Sequence, residues 1–181
     1  LAPLHKAAKI KRFVASTYQS VSGTGRAAIE ELRNQAGQYV AGTPLTVETY
    51  PHEILFNVLP HIGSLKEECP GFTSEEVKML NETRKIFSDK EIQVCATCVR
   101  VPVFYGHAES LNVEFADHAM TPEEAKDIFS RSPGVRVVDD VDAKQYPMPI
   151  EVTGKDEVTV GRIRIDRSVK NGLALFVAGD N

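Results

Sequence analysis

The sequence predicts an α+β domain, in which one mixed, mostly antiparallel sheet is covered by helices. Its 181 residues fall within the usual size of one domain and are enough to bury a core. Strand-like runs outnumber helical runs, and the two kinds do not alternate regularly along the chain. A doubly wound parallel sheet needs that regular alternation, so the order of elements favours helices layered on a mixed sheet.

The first third of the chain contains a helix, a strand, a second helix and a long irregular segment. Leu1, Leu4 and Ala8 recur at helical spacing, as in the last turns of a helix. Serines and glycines form a turn after the strand, and prolines interrupt the stretch that follows the second helix. The predicted bounds are strand Ile10–Thr17, turn Ser20–Gly25, helix Arg26–Gln38 and irregular segment Thr43–Ser64.

The rest of the chain contains two capped helices and most of the strands. Thr73 and Glu76 have the spacing of a capping box. Thr121 and Glu124 repeat it, with Pro122 at the first helical position. The predicted helices are Thr73–Ile86 and Thr121–Ser130, and the predicted strands are Ile92–Val103, His107–Phe115, Val135–Val138, Glu157–Asp166 and Leu173–Ala178.

Composition and charge exclude several classes of protein. The net charge is −4 with both signs interspersed, which gives no basic surface for nucleic acid. No apolar run approaches the roughly 20 residues that a membrane-spanning helix needs, and the first residues contain no signal peptide. Three cysteines are an odd number and too few for a disulfide scaffold, so we expect a cytoplasmic protein.

A CxxC motif at Cys95 and Cys98 is the feature that most suggests metal or redox chemistry. Residues three apart on a strand point to opposite faces, so this pair suits neither a disulfide nor a shared metal ion. No second pair of cysteines or histidines stands at the spacing of a zinc site. We therefore expect both cysteines to be buried structural thiols, and we expect no metal site.

Arg100 and His107 stand where two predicted strands meet. Pro102 and Gly106 break the run between them, so a turn can bring both side chains to one edge of the sheet. A guanidinium binds a carboxylate through two parallel hydrogen bonds, and an imidazole transfers protons near neutral pH. The pair suits a carboxylate-bearing substrate, although a surface arginine and a strand-edge histidine give the same pattern.

Three further residues are candidates for substrate contacts. Glu75 and Lys78 lie one turn apart at the start of a predicted helix, as a surface ion pair or as ligands for an ammonium and a phosphate. Gln19 stands where a strand enters the glycine-containing turn, from which it can orient a carbonyl group or a water. The spacing of those glycines matches neither a dinucleotide fingerprint nor a P-loop.

Four segments, taken in order, resemble the aspartate-semialdehyde dehydrogenase family, and the resemblance covers nearly the whole chain. The Glu-x-x-Lys pattern of Glu75 and Lys78 also falls where that family has it. The resemblance implies a fold like the C-terminal domain of glyceraldehyde-3-phosphate dehydrogenase. The matching segments are STYQSVSGTGRAA (16–28), FNVLPHI (56–62), the CVRVPV…H.ES run (98–110) and VGRIRIDRSVKNGLALFVAGDN (160–181).

The resemblance implies an activity and a cofactor. Enzymes of that family reduce L-aspartyl 4-phosphate to L-aspartate 4-semialdehyde and release phosphate, in the biosynthesis of lysine (through diaminopimelate), threonine and methionine. They use NADPH, and a cysteine of the enzyme forms a thioester with the acyl group. The family's members are homodimers or homotetramers, which is the assembly that the resemblance implies for this chain.

The resemblance also implies a role for each candidate residue. Arg100 corresponds to the residue that binds the substrate carboxylate, and His107 to the general acid/base. Asn181 matches a position close to the nicotinamide. Of the remaining three, Gln19 would hold the acyl group, Glu75 would bind the substrate ammonium group and Lys78 the phosphate.

Parts of the family's active site lie outside these 181 residues. The family's nucleophilic cysteine corresponds to a position shortly before Leu1, and none of Cys69, Cys95 and Cys98 matches it. The nucleotide-binding Rossmann domain does not correspond to any part of residues 1–181 either. We therefore expect this chain to be the substrate-binding and dimerisation domain, inactive without its own nucleotide-binding domain.

Two alternatives remain open at the level of sequence. N-acetyl-glutamyl-phosphate reductase uses related thioester chemistry, but its acylated substrate amine would leave Glu75 without a function. A domain that only associates subunits, through an exposed sheet face or the VGRIRID strand, is the other alternative. Such a domain has no reason to bring the candidate side chains together, so their positions in the fold distinguish the two readings.

Overall fold

A computed structural model describes residues 1–181. Six strands form the main sheet in the order β4-β1-β5-β8-β7-β6, and two short strands form a separate hairpin. The helices are α1 (Ala2–Ala7), α2 (Arg26–Ala41), α3 (Ser74–Phe87), α4 (Pro122–Ser130) and α5 (Pro149–Val152), with a 3-10 turn at Val21–Thr24. The strands are β1 (Ile10–Gln19), β2 (Leu65–Lys66), β3 (Cys69–Thr73), β4 (Gln93–Arg100), β5 (His107–Phe115), β6 (Val135–Val137), β7 (Val158–Ile165) and β8 (Gly172–Gly179).

The main sheet is mixed, with more antiparallel than parallel pairings, as the sequence predicted. β1 pairs parallel with β4 on one side and antiparallel with β5 on the other. β5, β8 and β7 follow as antiparallel neighbours, and β6 closes the far edge parallel to β7. Because β4 and β5 are separated by β1, the segment that joins them crosses the end of β1.

One face of the main sheet carries the hydrophobic core beneath α1, α3 and α4. Alternate residues of each strand point to this face, as Phe13 and Ala15 do in β1. They pack against residues such as Leu4 of α1 and Phe129 of α4, all nearly inaccessible to solvent. Burial of this continuous apolar layer is what stabilises the strand order.

The irregular segment 43–64 is fixed to α2 through a second, smaller core. Buried Gln35 of α2 accepts hydrogen bonds from the backbone N–H groups of Ile54 and Leu55, at 3.1 and 2.9 Å. One turn earlier, Glu31 accepts from the backbone N–H groups of Glu48 and Thr49. These side chains satisfy the backbone of a segment that has no regular structure of its own. The apolar members of this core are Val21, Ala28, Leu32, Ile54 and Leu59.

The opposite face of the sheet is covered only in part. α5 packs Val152 against Ala108 and Ala178, at the end of the sheet where β5 begins. Further along this face, Tyr18 of β1 is 40% exposed, and Cys95 of β4 is also exposed. This face therefore presents a partly apolar surface to solvent.

Most predicted elements are present, with differences at their ends. The strand predicted to reach Val103 ends at Arg100, because Pro102 has no N–H to donate to a ladder. The hairpin of β2 and β3 and the single turn of α5 were not predicted, since both are too short to give a periodic pattern. No helix has the length and apolar character needed to cross a membrane.

The expectation for the CxxC motif is half wrong. Cys98 is buried in the core, but Cys95 lies on the opposite face of the sheet and is exposed. The strand geometry was predicted correctly, and it is this alternation that sends Cys95 to the uncovered face. Burial raises the pKa of the Cys98 thiol to about 11, so this group is a thiol rather than a thiolate at neutral pH.

Candidate functional site

The ends of four strands meet at one edge of the main sheet. Gln19 ends β1 and pairs with Arg100 at the end of β4, because these two strands run parallel. β5 runs antiparallel to β1, so it begins at this edge with His107, which pairs with Gly179 at the end of β8. Asn181 follows β8 directly. Residues far apart in the sequence are thereby brought to one place.

Gln19, Arg100 and His107 also share a face of the sheet. Each is in phase with the core residues of its own strand, so all three point to the face covered by helices. Gln19 and Arg100 are buried, with 8% and 6% of their surface exposed. The two predicted strand-end residues Arg100 and His107 therefore lie together, although the strands that carry them are not neighbours.

The 3-10 turn after β1 passes directly over Arg100 and His107. A Cβ on Gly23 would lie 2.9 Å from Nη1 of Arg100 and 3.2 Å from both Cε1 and Nε2 of His107. A side chain at this position would displace one or both groups, so glycine lets the turn approach them closely without moving them. The turn is held in place by backbone hydrogen bonds from Val21 to Val103 (2.9 Å) and from Ser22 to Phe104 (3.1 Å).

The Arg100 guanidinium is anchored by one bond to this turn. Its Nη1 donates to the backbone oxygen of Ser20 at 2.6 Å, and this is the only hydrogen bond of the guanidinium to another protein group. The Arg100 backbone forms a two-bond bridge with Leu59 of the irregular segment, at 2.9 Å each way. The guanidinium is therefore fixed in position and still has donors for a carboxylate.

His107 is held through its Nδ1 atom. The backbone N–H of Ser20 lies 3.3 Å from Nδ1, and the Ser20 hydroxyl lies 3.1 Å from it. Burial, and then the nearby Arg100 charge, lower the pKa of His107 below its ordinary value of 6.5. The ring is therefore neutral at pH 7, and its Nε2 has no protein partner.

Asn181 joins the two loops that border His107. Its Oδ1 accepts hydrogen bonds from the hydroxyl groups of Ser20 and Ser22, both at 3.0 Å, and from the backbone N–H of Gly106 at 3.1 Å. Its Nδ2 has no protein partner. Asn181 thus lies at the site, where it ties the 3-10 turn to the segment that leads into β5.

The start of α3 places Glu75 and Lys78 beside Gln19. Nε2 of Gln19 donates to Oε1 of Glu75 at 3.3 Å, and Nζ of Lys78 lies 3.7 Å from the same oxygen. Oε2 of Glu75 has no protein partner. Burial lowers the pKa of both Arg100 and His107, and the nearby Glu75 carboxylate offsets part of that lowering. The site therefore carries cationic and anionic groups close together at one end of the sheet.

Glu76 fixes this end of α3 to the sheet. Its Oε2 accepts from the backbone N–H of Thr73 at 2.8 Å, and the hydroxyl of Thr73 accepts from the Glu76 backbone N–H, which completes the predicted capping box. Its Oε1 accepts from the backbone N–H of Cys98 at 3.2 Å. The same carboxylate thus caps the helix and holds it against β4.

All the candidate residues lie in this one region, and sequence reasoning missed three neighbours that arrange them. Ser20 and Gly23 lie in the turn that was predicted from its serines and glycines, but neither was given a role, and their contacts are with residues about 80 positions away. Glu76 was recognised as a cap, but not as a link to β4. A hydroxyl or a missing Cβ gives no periodic pattern in the sequence, so these roles can be recognised only from the structure.

The other chemically active groups lie elsewhere. Sγ of Cys98 points into the core and lies 3.7 Å from Sδ of Met79, and Cys95 is on the other face. No three His, Cys, Asp or Glu side chains are close enough to hold a metal ion together. A cavity of about 690 Å³ lies toward the far end of the sheet beside Asp166, and none of the candidate residues lines it.

Comparison with known proteins identifies this type of domain. The family model described as the dimerisation domain of semialdehyde dehydrogenase matches residues 1–181. The chain belongs to that family. The semialdehyde dehydrogenase dimerisation domain accounts for the whole chain, and the ends of its sheet carry the site described above.

Individual relatives agree with the family assignment. The chain is 50% identical over 182 residues to aspartate-semialdehyde dehydrogenase of Aquifex aeolicus, and 46% identical over 182 residues to that of Legionella pneumophila. Among solved structures, it superposes with a TM-score of 0.92 on aspartate semialdehyde dehydrogenase II of Vibrio cholerae complexed with ASA, at 40% identity over 99% of this chain. The fold is thus that of the C-terminal domain of these enzymes.

The matches cover the whole of this chain but only part of each relative. It spans 53% of the Aquifex aeolicus protein, 52% of the Legionella pneumophila protein and 52% of the Vibrio cholerae chain. The semialdehyde dehydrogenase dimerisation domain described here therefore corresponds to about half of the proteins it resembles.

Proposed function

We propose that this domain is the substrate-binding and subunit-pairing half of an NADP-dependent aspartate-semialdehyde dehydrogenase of the cytoplasm. The enzyme reduces L-aspartyl 4-phosphate to L-aspartate 4-semialdehyde in the biosynthesis of lysine, threonine and methionine. A cysteine outside residues 1–181 forms the thioester, since Cys98 is a buried thiol and Cys95 faces away from the cleft. The domain without that cysteine and without the nucleotide-binding domain has no activity.

The observation that carries this proposal is the convergence of side chains with complementary chemistry in one cleft. Arg100 and His107 pack against the same glycine, and Glu75 is bonded to both Gln19 and Lys78. A domain that only paired subunits would have no need for a buried guanidinium with free donors next to a neutral imidazole. The arrangement suits a small substrate that carries both charges.

The charged groups correspond to the charged ends of an amino acid. Arg100 has free N–H donors for two parallel bonds to the α-carboxylate, and Oε2 of Glu75 is free to accept from the α-ammonium. Lys78, whose side chain is 55% exposed, reaches outward to bind the phosphate. A substrate whose amine is acylated could not use Glu75, which argues against N-acetyl-glutamyl-phosphate reductase.

Gln19 and His107 act on the reacting carbon. The Gln19 amide is fixed between Glu75 and the Thr17 hydroxyl, which donates to Oε1 of Gln19 at 3.0 Å. From this position Gln19 orients the acyl group for attack. His107 moves the proton at the substrate oxygen through Nε2, the ring nitrogen that no protein group occupies.

The cofactor is held mainly by the nucleotide-binding domain, and Asn181 is the residue of this chain that contributes to its site. The Asn181 carboxamide is immobilised by three hydrogen bonds to Oδ1, which leaves Nδ2 free to donate to the carboxamide of a nicotinamide. NADPH supplies the hydride when it is bound. The residues present fit such a group, since Asn181 and His107 border the same cleft.

Subunit pairing uses the uncovered face of the sheet in this proposal. Val14 and Tyr18 of β1 lie on that face, and the Tyr18 ring is 6.0 Å from the ring of Phe176. Partly exposed aromatic and aliphatic side chains on one face of a sheet are typical of a surface that a second subunit covers. The assembly is a homodimer or a tetramer built from such dimers.

Arg100→Lys tests the proposed function in the full-length enzyme. Lysine keeps the charge but cannot form the two parallel hydrogen bonds, so KM for aspartate semialdehyde should rise about 10- to 100-fold. Steady-state kinetics in both directions measure this, and Arg33→Lys, a change at an exposed arginine of α2, is the matched control. Unchanged KM in Arg100→Lys, or a preference for N-acetyl-glutamyl phosphate, would contradict the proposal.

A further inference from the structure

Ser20 is buried against the ring of His107 and touches it with two different groups. It is 0% exposed, and both its backbone N–H (3.3 Å) and its hydroxyl oxygen (3.1 Å) lie near Nδ1. The hydroxyl also lies 3.0 Å from Oδ1 of Asn181. The same hydroxyl lies 2.9 Å from the hydroxyl of Ser22, so Ser20 joins the imidazole to the polar network of the turn.

The backbone N–H has a fixed chemical role, because it can donate a hydrogen bond and cannot accept one. Nδ1 of the neutral His107 ring must therefore be the acceptor, and the ring proton must be on Nε2. Nε2 lies beside Gly23 and has no protein partner. The resting ring consequently presents a proton to the cleft rather than a lone pair.

The hydroxyl has a different role, because it can accept as well as donate. When the ring takes a second proton, Nδ1 becomes a donor and the backbone N–H of Ser20 opposes it. The Ser20 oxygen can then accept from Nδ1 while its own hydrogen is directed to Oδ1 of Asn181. Once the cation has given its Nε2 proton to a substrate oxygen, the remaining proton stays on Nδ1 in the same hydrogen bond.

We propose that Ser20 is a positioning residue for His107: its backbone N–H sets the resting Nε2–H tautomer, and its hydroxyl supports the protonated ring. The consequence for catalysis rests on the proposed function, whereas the tautomer itself does not. His107 can be a base through Nε2 only after its proton has moved to Nδ1. The hydroxyl of Ser20 is the group that makes this second form accessible.

Charged groups on the neighbouring elements also act on the pKa of the ring. Arg100 on β4 disfavours the cation, and Glu75 on α3 and Asp180 after β8 favour it. The backbone of Gly106 favours it as well. A variant that changes only the side chain of Ser20 keeps all of these groups, so their effect on the pKa of His107 should be the same as in the unchanged protein.

The tautomer can be measured directly in the 181-residue chain by two-bond ¹H–¹⁵N NMR spectra of the histidine rings. His107 is assigned among the five histidines by comparison with His107→Gln. Above pH 7 its spectrum should show a protonated Nε2 and an unprotonated Nδ1. A neutral ring protonated mainly on Nδ1 would overturn the proposal without any use of substrate or cofactor.

Ser20→Ala and Ser22→Ala form a matched pair for the second part of the proposal. Both remove one hydroxyl bonded to Oδ1 of Asn181, but only Ser20 contacts His107. Ser20→Ala should keep the Nε2–H tautomer and lower the pKa of His107 by about half a unit or more, since the cation loses its acceptor. Ser22→Ala should leave that pKa unchanged, and equal pKa values in the two variants would refute the role of the hydroxyl.

Discussion

Arg100 and His107 both lie where a side chain on Gly23 would point, so the position of the two functional groups depends on a residue with no side chain. Gly23→Ala would place a methyl group 2.9 Å from Nη1 of Arg100 and 3.2 Å from the His107 ring. Because both neighbours are side-chain ends, they would move rather than unfold the domain. In the full-length enzyme kcat/KM should fall about 10- to 100-fold, with little change in melting temperature.

Gly37→Ala is the control for that substitution. Gly37 lies inside α2, and a Cβ there would meet no heavy atom within 4 Å. The same chemical change should leave kcat/KM unchanged and stabilise the helix by roughly 0.5–1 kcal/mol. Equal activity losses in the two variants would mean that Gly23 has no special role at the site.

We expect His107 to determine how the activity of the full-length enzyme depends on pH. Burial and Arg100 lower its pKa, so the ring gains its second proton only below pH 6.5. His107→Gln keeps the size and polarity of the side chain but cannot transfer a proton, so kcat should fall about 10²- to 10⁴-fold while KM changes little. Steady-state kinetics over a range of pH measure both parameters, and an unchanged kcat would exclude proton transfer by His107.

The same pKa shift affects stability. The unfolded chain binds the His107 proton near pH 6.5, whereas the folded chain binds it only at lower pH. The unfolded state therefore binds more protons as the pH falls through 6.5, and the folded state loses stability in that range. The His107→Gln variant should lack this pH-dependent contribution to the free energy of unfolding.

At the scale of elements, α3 matters because its first turn carries two of the proposed substrate ligands. Glu76 fixes that turn by capping the helix and by accepting from the Cys98 backbone N–H. Glu76→Ala should lower the free energy of unfolding by about 1–3 kcal/mol, because a helix cap is lost and a half-buried N–H is left unpaired. Denaturant titration measures this.

Glu82→Ala is the matched control on the same helix, since the Glu82 side chain caps nothing and is exposed. Its effect should stay within about 0.5 kcal/mol. In the full-length enzyme, Glu76→Ala should also raise KM, because Glu75 and Lys78 lose their fixed position, whereas Glu82→Ala should not. Equal stability for the two variants would remove Glu76 as the link between helix and sheet.

Short sequence patterns predicted most helices and strands, but they did not predict how the segments between them are anchored. The capping boxes at Thr73 and Thr121 locate α3 and α4, because the residues that form a cap are close together in the sequence. The anchoring of segment 43–64 by Gln35 was not predicted, since a buried glutamine inside a helix has no distinctive pattern. The exposure of Cys95 required knowledge of which sheet face is left uncovered.

At the scale of the whole molecule, one sheet separates two surfaces with different proposed tasks. Strand alternation sends Gln19 to the cleft and the preceding Tyr18 to the uncovered face. The family resemblance predicted which residues would meet, and the parallel pairing of β1 with β4 explains why they do. Ser20 could not be predicted, because its partners are brought to it by the crossing of the segment between β4 and β5.

Tyr18→Lys tests the second surface. A charge in the middle of a buried, mostly apolar interface is costly. The dissociation constant of the dimer of the full-length enzyme should therefore be about 10-fold higher, or more, in this variant. Analytical ultracentrifugation measures the dissociation constant. Tyr39→Lys, at an aromatic residue of α2 that is 59% exposed and away from the sheet, is the control. Identical assembly of the two variants would contradict pairing through the sheet.

A crystal structure of the full-length enzyme with L-aspartate 4-semialdehyde bound would test the proposed substrate site directly. We expect the substrate carboxylate to accept two hydrogen bonds from Arg100 and the ammonium group to lie against Glu75, with His107 Nε2 beside the aldehyde oxygen. A substrate bound away from Arg100, or with its ammonium group pointing away from Glu75, would contradict the central claim that this sheet edge is the substrate site.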